Sequence, residues 1–397
     1  MAVLILVFMA IAAPVIGAEW AGPRWKAAST EADREGPAKP AKSLHAGRAH
    51  LLLEFEQPPT PQQLRALAGR GLHIVAAAPD TGVVVAASVV NTPQVSGVRR
   101  SSFIPPTHKL SPMLGQRRDE AQRFDFLVEF HGDTASWEAR TIALREHLLI
   151  RDHPDLDAAH LLVEGTAAMA RSLTEWDEVA YVFPASSRLS TGQRTFSCAG
   201  ALLAAGPVGQ YIAAVGPGWD GPGLGAATLT YSYEDLSKLA FPEEIESEIN
   251  RAIEEWSRVV QIRFLPGTDV NAPRNLNILF ARGDYGSGFA FDGVGGRLAQ
   301  AFYPAPPNPE PIAGDIHFDG SENWHTGTEV DLFSIALHEI GHALGLGHSD
   351  DPNSVMYPYY HPVTGLTRQD RASIRKIYAP RRTRDSLSRL TGPARGR

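Results

Sequence analysis

Only one cysteine, Cys198, occurs among the 397 residues, so no intrachain disulfide can form. Stability must come instead from a sizeable core and from bound metal. Positive charge is not in excess either. Thirty-seven Lys and Arg face 44 Asp and Glu, a formal charge of −7, which argues against a nucleic-acid partner. Long apolar runs are missing beyond residues 1–18, so no other stretch could span a membrane. Residues 1–18 are almost wholly apolar and end in small residues, as a secretory signal peptide or lipid anchor does. No Lys or Arg precedes that run, so either the signal is atypical or the true start lies upstream. A secreted, extracellular or periplasmic protein with no stable membrane span after signal removal is the expectation.

The length leaves room for two or three domains. Residues 19–44, rich in Ala, Pro and charge, read as a linker. Between 45 and 191 the chain repeats itself. Leu51-Leu52-Leu53-Glu54-Phe55 corresponds to Phe126-Leu127-Val128-Glu129-Phe130, and Val83-Val84-Val85-Ala86 to His160-Leu161-Leu162-Val163. Helical stretches at Thr60 to Ala68 and Ser136 to His147 follow the first strand of each unit. Both units are expected to end alike, in Lys109-Leu110-Ser111 and Arg188-Leu189-Ser190. Strand–helix–strand–strand–helix–strand, twice, predicts two ferredoxin-like α+β modules over 45–112 and 122–191. They read as a proregion, with a retained accessory domain as the alternative, because fold alone does not choose. Residues 192–226 read as a second linker and 381–397 as a basic, disordered tail.

The chemistry concentrates in His338-Glu339-Ile340-Gly341-His342-Ala343-Leu344-Gly345-Leu346-Gly347-His348. On a helix, His338 and His342 project from one face, one turn apart. Gly345 supplies a backbone that ends the helix and returns the chain, bringing His348 in as third ligand. Three imidazoles leave a fourth zinc position open, the mark of a catalytic rather than a structural site. Glu339 is placed to act as general base on a zinc-activated water. No Ser, Cys or Thr nucleophile is then needed, and no acyl-enzyme is expected. Met356, in Ser354-Val355-Met356-Tyr357-Pro358, stands where a methionine turn would put an apolar floor beneath the ligands.

This extended motif with its methionine turn is the metzincin signature. Within that group the chain resembles the matrix metalloproteinases (matrixins) from about Leu229 to Tyr378. The resemblance runs through Leu229-Thr230-Tyr231-Ser232-Tyr233, Asn277-Ile278-Leu279-Phe280, Phe291-Asp292-Gly293, Gly314-Asp315-Ile316-His317-Phe318-Asp319 and Leu366-Thr367-Arg368-Gln369-Asp370. It implies an α+β catalytic domain over 227–380: a twisted, mostly parallel sheet with one antiparallel edge strand, packed with three helices. It also implies an endopeptidase acting on protein or peptide in extended conformation. Leu298, Ala299 and Gln300 would pair with substrate backbone. Tyr357, Pro358, Tyr359 and Tyr360 would line the pocket for the side chain after the cleaved bond, an apolar one by their aromatic content. The resemblance further implies one structural Ca²⁺, with carboxylates from Asp292, Asp319 and Glu322 and main-chain carbonyls from Gly293, Gly295 and Arg297.

The departures from the family also matter. Its structural-zinc positions hold Tyr285, Ser287, Gln300 and His317, so no second zinc is expected. A second calcium site keeps Asp315, with Asn275, Pro311 and Ala313 at its other positions, and no ion is expected there. The family's latency motif, Pro-Arg-Cys-Gly, is absent. Cys198 does lie between the repeats and the catalytic domain, where a latency thiol would belong, but the missing flanking Arg and Gly favour an incidental thiol. Two other readings stay open: a non-catalytic zinc-stabilised module that grips peptides, and a peptidase of another metzincin branch.

Overall fold

The computed structural model describes residues 42–381, apart from 58, 60, 79–81, 89–95, 118, 199, 201, 204–205, 208–217, 220–224, 287–289, 306–307 and 326–329. The expected signal segment, nearly all of the first linker and the basic tail beyond Arg381 lie outside the described residues. No described helix is long and apolar enough to cross a membrane.

The first apolar runs form β1 (Arg48–Phe55), β2 (His73–Ala78), β3 (Gly82–Ser88) and β4 (Val98–Phe103), with α1 (Pro61–Ala68) after β1. Neighbouring strands are antiparallel in the order β2-β3-β1-β4. After the short α2 (Pro112–Gly115) come β5 (Phe124–Phe130), α3 (Ser136–Arg145), β6 (Leu149–Arg151), β7 (His160–Gly165), α4 (Ala167–Leu173) and β8 (Val179–Pro184). These strands take the corresponding order, β6-β7-β5-β8. The connection from β3 to β4 lies mostly outside the described residues, so a second helix in the first unit has no description.

The two unit ends, expected to match, differ. Lys109–Ser111 runs along the open edge of β8, with Val182 N donating to Lys109 O and Ser111 N to Val182 O, both at 2.8 Å. Arg188-Leu189-Ser190 instead lies in the one-turn α5 (Ser187–Ser190), capped by Ser186. The first segment has an unpaired strand edge within reach; the second has already left the sheet after Pro184. Where the two units meet, buried His50 bridges Asp177 (2.8 Å) and Asp133 (3.0 Å) and stacks on His131 at 3.9 Å.

Two short strands, β9 (Leu202–Leu203) and β10 (Gly206–Pro207), pair before the third unit. That unit comprises β11 (Ala227–Glu234), α6 (Pro242–Val259), β12 (Ile262–Pro266), β13 (Asn275–Ala281), β14 (Ala299–Ala301), β15 (Ile316–Asp319), α7 (Leu332–Ala343) and α8 (Arg368–Ile374). Its strands lie in the order β12-β11-β13-β15-β14, all parallel except the edge strand β14. This is an α+β domain with a mixed sheet and three helices.

Helix α6 forms where its sequence favours one. Proline starts it, Glu243 and Glu244 sit in the first turn and Arg258 in the last, each suited to the helix dipole. Ile245, Ile249, Ala252, Ile253, Trp256 and Val259 recur at helical spacing and are all buried. Each such large side chain contributes about 1.5–3 kcal/mol by leaving water. Trp256 also donates from Nε1 to Leu337 O at 2.9 Å, fastening α6 to α7. All twelve residues of α7 are buried, and Asp331 caps it by accepting from Ser334 N. The ligand-bearing helix is therefore the central one, gripped on every side.

One core carboxyl carries a stability cost. Asp315 is buried before β15 and accepts from Asn277 N at 3.1 Å. Desolvation, with smaller contributions from Glu310 and Glu234, raises its pKa to about 7. Between the ordinary carboxylate range and about pH 7 the folded chain holds a proton that the unfolded chain releases, so stability falls as pH rises through that window. Asp315→Asn is expected to stabilise the metal-depleted chain by about 1–3 kcal/mol at pH 7. On melting curves that is a few degrees, shrinking to nothing below about pH 4. Equal melting shifts at both pH values would refute the assignment.

Candidate metal centre

Helix α7 delivers His338 and His342 on one face. At Gly345 the chain takes φ 103°, a conformation glycine accepts without strain, and Leu346 N returns to Gly341 O at 2.9 Å. His348 thereby reaches the other two. One ligand atom from each of His338, His342, His348 and Cys198 lies within 4.8 Å of all the others, and all four residues are buried.

The chemistry of these donors fits a dication. His338 Nδ1 donates to Val355 O and His342 Nδ1 to Leu346 O, each at 2.7 Å, which turns both Nε2 lone pairs inward. His338 Nε2 is buried with no hydrogen-bond partner among the described residues. Burial holds all three imidazoles neutral, the protonation state a metal needs: His342 is lowered to about 4, and His338 and His348 lie well below the ordinary histidine value.

Met356 lies beneath this centre. A methyl group on Gly341 would stand 2.4 Å from Met356 Sδ and 3.1 Å from Trp256 Cζ2, so glycine is what lets the methionine and α6 close up under the ligand helix. The turn itself is fixed by Asp370, which the motif did not reveal. Its buried carboxylate accepts from Ser354 Oγ, from Val355 N (3.2 Å) and from Thr367 N (2.8 Å) while capping α8. Since Val355 O orients His338, Asp370 is linked to the first ligand through a single residue, Val355. The sequence signal was the reciprocal Thr367/Asp370 cap.

Glu339 is fully buried, and desolvation raises its pKa to about 7. Its Oε1 accepts from Tyr360 OH and from the Cys198 thiol (3.7 Å), while Oε2 is buried without a partner among the described residues. Cys198 Sγ is equally 3.7 Å from His342 Nε2 and accepts from Gly200 N at 3.3 Å. The thiol is delivered by backbone pairing: Cys198 N donates to Pro358 O (2.8 Å) and Tyr360 N to Phe196 O (2.9 Å). Residues 196–198 thus run antiparallel to the segment read as the pocket wall.

Along that wall the side chains alternate. Tyr357 and Tyr359 turn toward the second N-terminal sheet, into a cluster with Leu127, Leu162, Tyr181, Phe183 and Leu189. Tyr360 turns inward, and with His361, Pro362, Val330, Asp331, Ser334 and Ile335 it lines the adjacent cavity, which Arg188, Arg194 and Phe196 close from the N-terminal side. Asp331, Ser334 and His361 make this lining less apolar than the aromatic run implied. On the other side, Leu298, Ala299 and Gln300 are buried at the β14 edge.

At the family's structural-zinc positions, Tyr285 OH meets His317 Nδ1 at 2.7 Å and accepts from Gln300 Nε2 at 2.5 Å. Desolvation lowers His317 to about 4, so its ring is neutral. Side-chain hydrogen bonds thus join three of the four positions; Ser287 lies outside the described residues. At the calcium positions the carboxylates are held by main-chain donors: Asp292 by Arg297 N (2.7 Å), Asp319 by Ser321 N (2.7 Å) and Glu322 by Gly295 N (2.5 Å). Asp319 Oδ2 is buried and unpartnered among the described residues. Desolvation, then the Asp319 and Asp292 charges, raises the Glu322 pKa. These carboxylates are not gathered as tightly as the donors at the histidine centre.

A mixed sheet backing a helix-borne His-Glu-x-x-His, a third histidine beyond a glycine turn and a methionine beneath them define a metzincin-type zinc centre. Within that class, residues 223–379 match the matrixin family model, so this chain carries a matrixin domain. Matrix metalloproteinase-20 of Homo sapiens is 38% identical over 160 residues, which cover 39% of this chain and 32% of that protein. Macrophage metalloelastase of Rattus norvegicus is 40% identical over 170 residues, 42% of this chain and 35% of the relative. Metalloendoproteinase 1-MMP of Arabidopsis thaliana is 40% identical over 166 residues, 38% and 43%. The chain thus spans less than half the length of each of these relatives, and the shared part holds the histidine centre.

Proposed function

We propose that the chain is an exported zinc endopeptidase, held latent by its own N-terminal residues. The observation that carries this reading is the convergence of three neutral imidazoles beside a buried carboxyl with one oxygen unpartnered. His338, His342 and His348 would hold zinc, which supplies a Lewis acid for the scissile carbonyl and lowers the pKa of water. Glu339 takes the proton of the attacking water and passes it to the leaving amine. Tyr360, donating to Oε1, fixes the carboxylate plane. The β14 edge at Leu298, Ala299 and Gln300 pairs with an extended peptide, and the cavity beside Tyr360 takes the side chain beyond the cut.

Residues 45–112 and 122–191 are read as ferredoxin-like modules, on the support of their shared strand order. Together with 192–226 they form a proregion. Cys198 is its zinc-facing thiol: the geometry favours this over the incidental role that its unusual flanks suggested. Asp292, Asp319 and Glu322 are assigned to one Ca²⁺, supported by the unpartnered Asp319 oxygen and the mutual repulsion of the carboxylates.

After limited proteolysis removes the N-terminal segments, the remaining domain is expected to cleave an unfolded protein. A chelator stops the cleavage and zinc restores it. Metal analysis should find one zinc per chain, because Tyr285, Gln300 and His317 bond one another. Bound zinc without cleavage would instead make the domain a peptide-binding module, and two zinc ions would refute the reading of the Tyr285 group.

A further inference from the structure

We propose that the second N-terminal module stays seated on the pocket wall after the chain is cut between 199 and 226, so that this cut alone does not free the cleft. The inference deepens the latency reading above and depends on it only in treating the cleft as an enzyme's.

The β6-β7-β5-β8 sheet is covered on one face by its own helices, through Val128, Ile142, Val163 and Val182. Of the module's own helices only the one-turn α5 reaches the other face, through Leu189. There Leu127, Leu162, Tyr181 and Phe183 are at most 2% exposed because Tyr357 and Tyr359 of the wall pack on them. Lifting the module away would bare an aromatic face on both pieces at once, which is costly in water.

The polar groups at this seam are paired as closely as the rings. Tyr359 OH lies 2.6 Å from His160 Nδ1 and accepts from Asp157 N at 3.2 Å. Tyr357 OH donates to Pro184 O at 3.0 Å and accepts from Ser186 N at 3.2 Å. Tyr181 OH donates to the buried Asp350 carboxylate at 2.9 Å. Fixed, fully paired aromatic hydroxyls in a dry seam characterise a stable interface. The 196–198 strand, by contrast, holds the wall through two backbone hydrogen bonds, with Thr195 Oγ1 adding one to Tyr360 O at 2.9 Å and Cys198 reaching Glu339 on α7. The firmer attachment therefore lies in the module, upstream of any cut after Cys198. The thiol faces the metal position, and Arg188 of the module lines the cavity beside Tyr360.

The test uses the full chain with a site-specific protease sequence inserted within 208–217. After nicking, the two fragments are expected to co-migrate on gel filtration at about micromolar concentration, and to keep doing so when a chelator removes the metal or when Cys198→Ser removes the thiol. Tyr181→Phe, which deletes the bond to Asp350, should speed fragment release about tenfold. Separation of the wild-type fragments, separation on chelation, or an unchanged release rate in Tyr181→Phe would each overturn the proposal. None of these readouts requires peptidase activity, so a failure here is distinguishable from a failure of the zinc-peptidase reading.

Discussion

Glu339→Gln, measured on the domain freed of its N-terminal segments, is expected to lower kcat by about 10²–10⁴ while leaving KM and zinc content unchanged. Glutamine has the same shape and still accepts from Tyr360 through its amide oxygen, so the wall and α7 have no reason to move. What it lacks is the ability to carry a proton. In the native chain that ability is prepared by burial, which lifts the carboxyl to about 7. A carboxyl in that range can accept a proton from water and give it up again near neutrality. A positive charge held by the three imidazoles would lower that value, so the proton-accepting form prevails wherever the metal is bound. Loss of activity together with loss of zinc would show a structural role. Retained activity, within about tenfold of the parent, would remove Glu339 from the mechanism.

The local parts of this site were legible because their physics is local. Two histidines a turn apart, a glycine three residues beyond and a downstream methionine carry their geometry in their spacing. The amphipathic α6 and the capped α8 are equally self-contained. What the spacing could not carry is anything fixed by a distant partner. The wall segment Tyr357 to Tyr360 reads as one aromatic run, yet strand alternation sends two of its rings one way and Tyr360 the other. That alternation is present in the sequence. That its outer face meets a sheet some 200 residues upstream is not. Cys198 is the sharper case. Its flanks gave no sign of a ligand, because the thiol is aimed by backbone pairing with Pro358 and Tyr360, which does not depend on flanking side chains. Asp370 caps α8 and anchors the methionine turn at once, because one carboxylate has enough oxygen lone pairs for both; the cap is local in the sequence, the anchor is not.

The Cys198 thiol itself yields the second large effect. In the intact, zinc-loaded chain it is expected to resist alkylating reagents, and to react once a chelator has removed the metal. Two layers of protection account for this: the side chain is 3% exposed, and thiolate bound to zinc is not free to attack. Replacing zinc with cobalt should give a thiolate-to-metal absorption band that Cys198→Ser abolishes. The same substitution should weaken zinc binding by about a hundredfold, roughly one ligand's share of a four-ligand site. It should not, by itself, make the uncut chain an active peptidase, since Phe196 to Cys198 would still pair along the wall and the second module would still pack on Tyr357 and Tyr359. Strong hydrolysis by uncut Cys198→Ser would therefore mean that the thiol alone holds the enzyme silent. Rapid alkylation of the zinc-loaded wild type would mean that the sulfur never reaches the metal, leaving latency to the module and the strand.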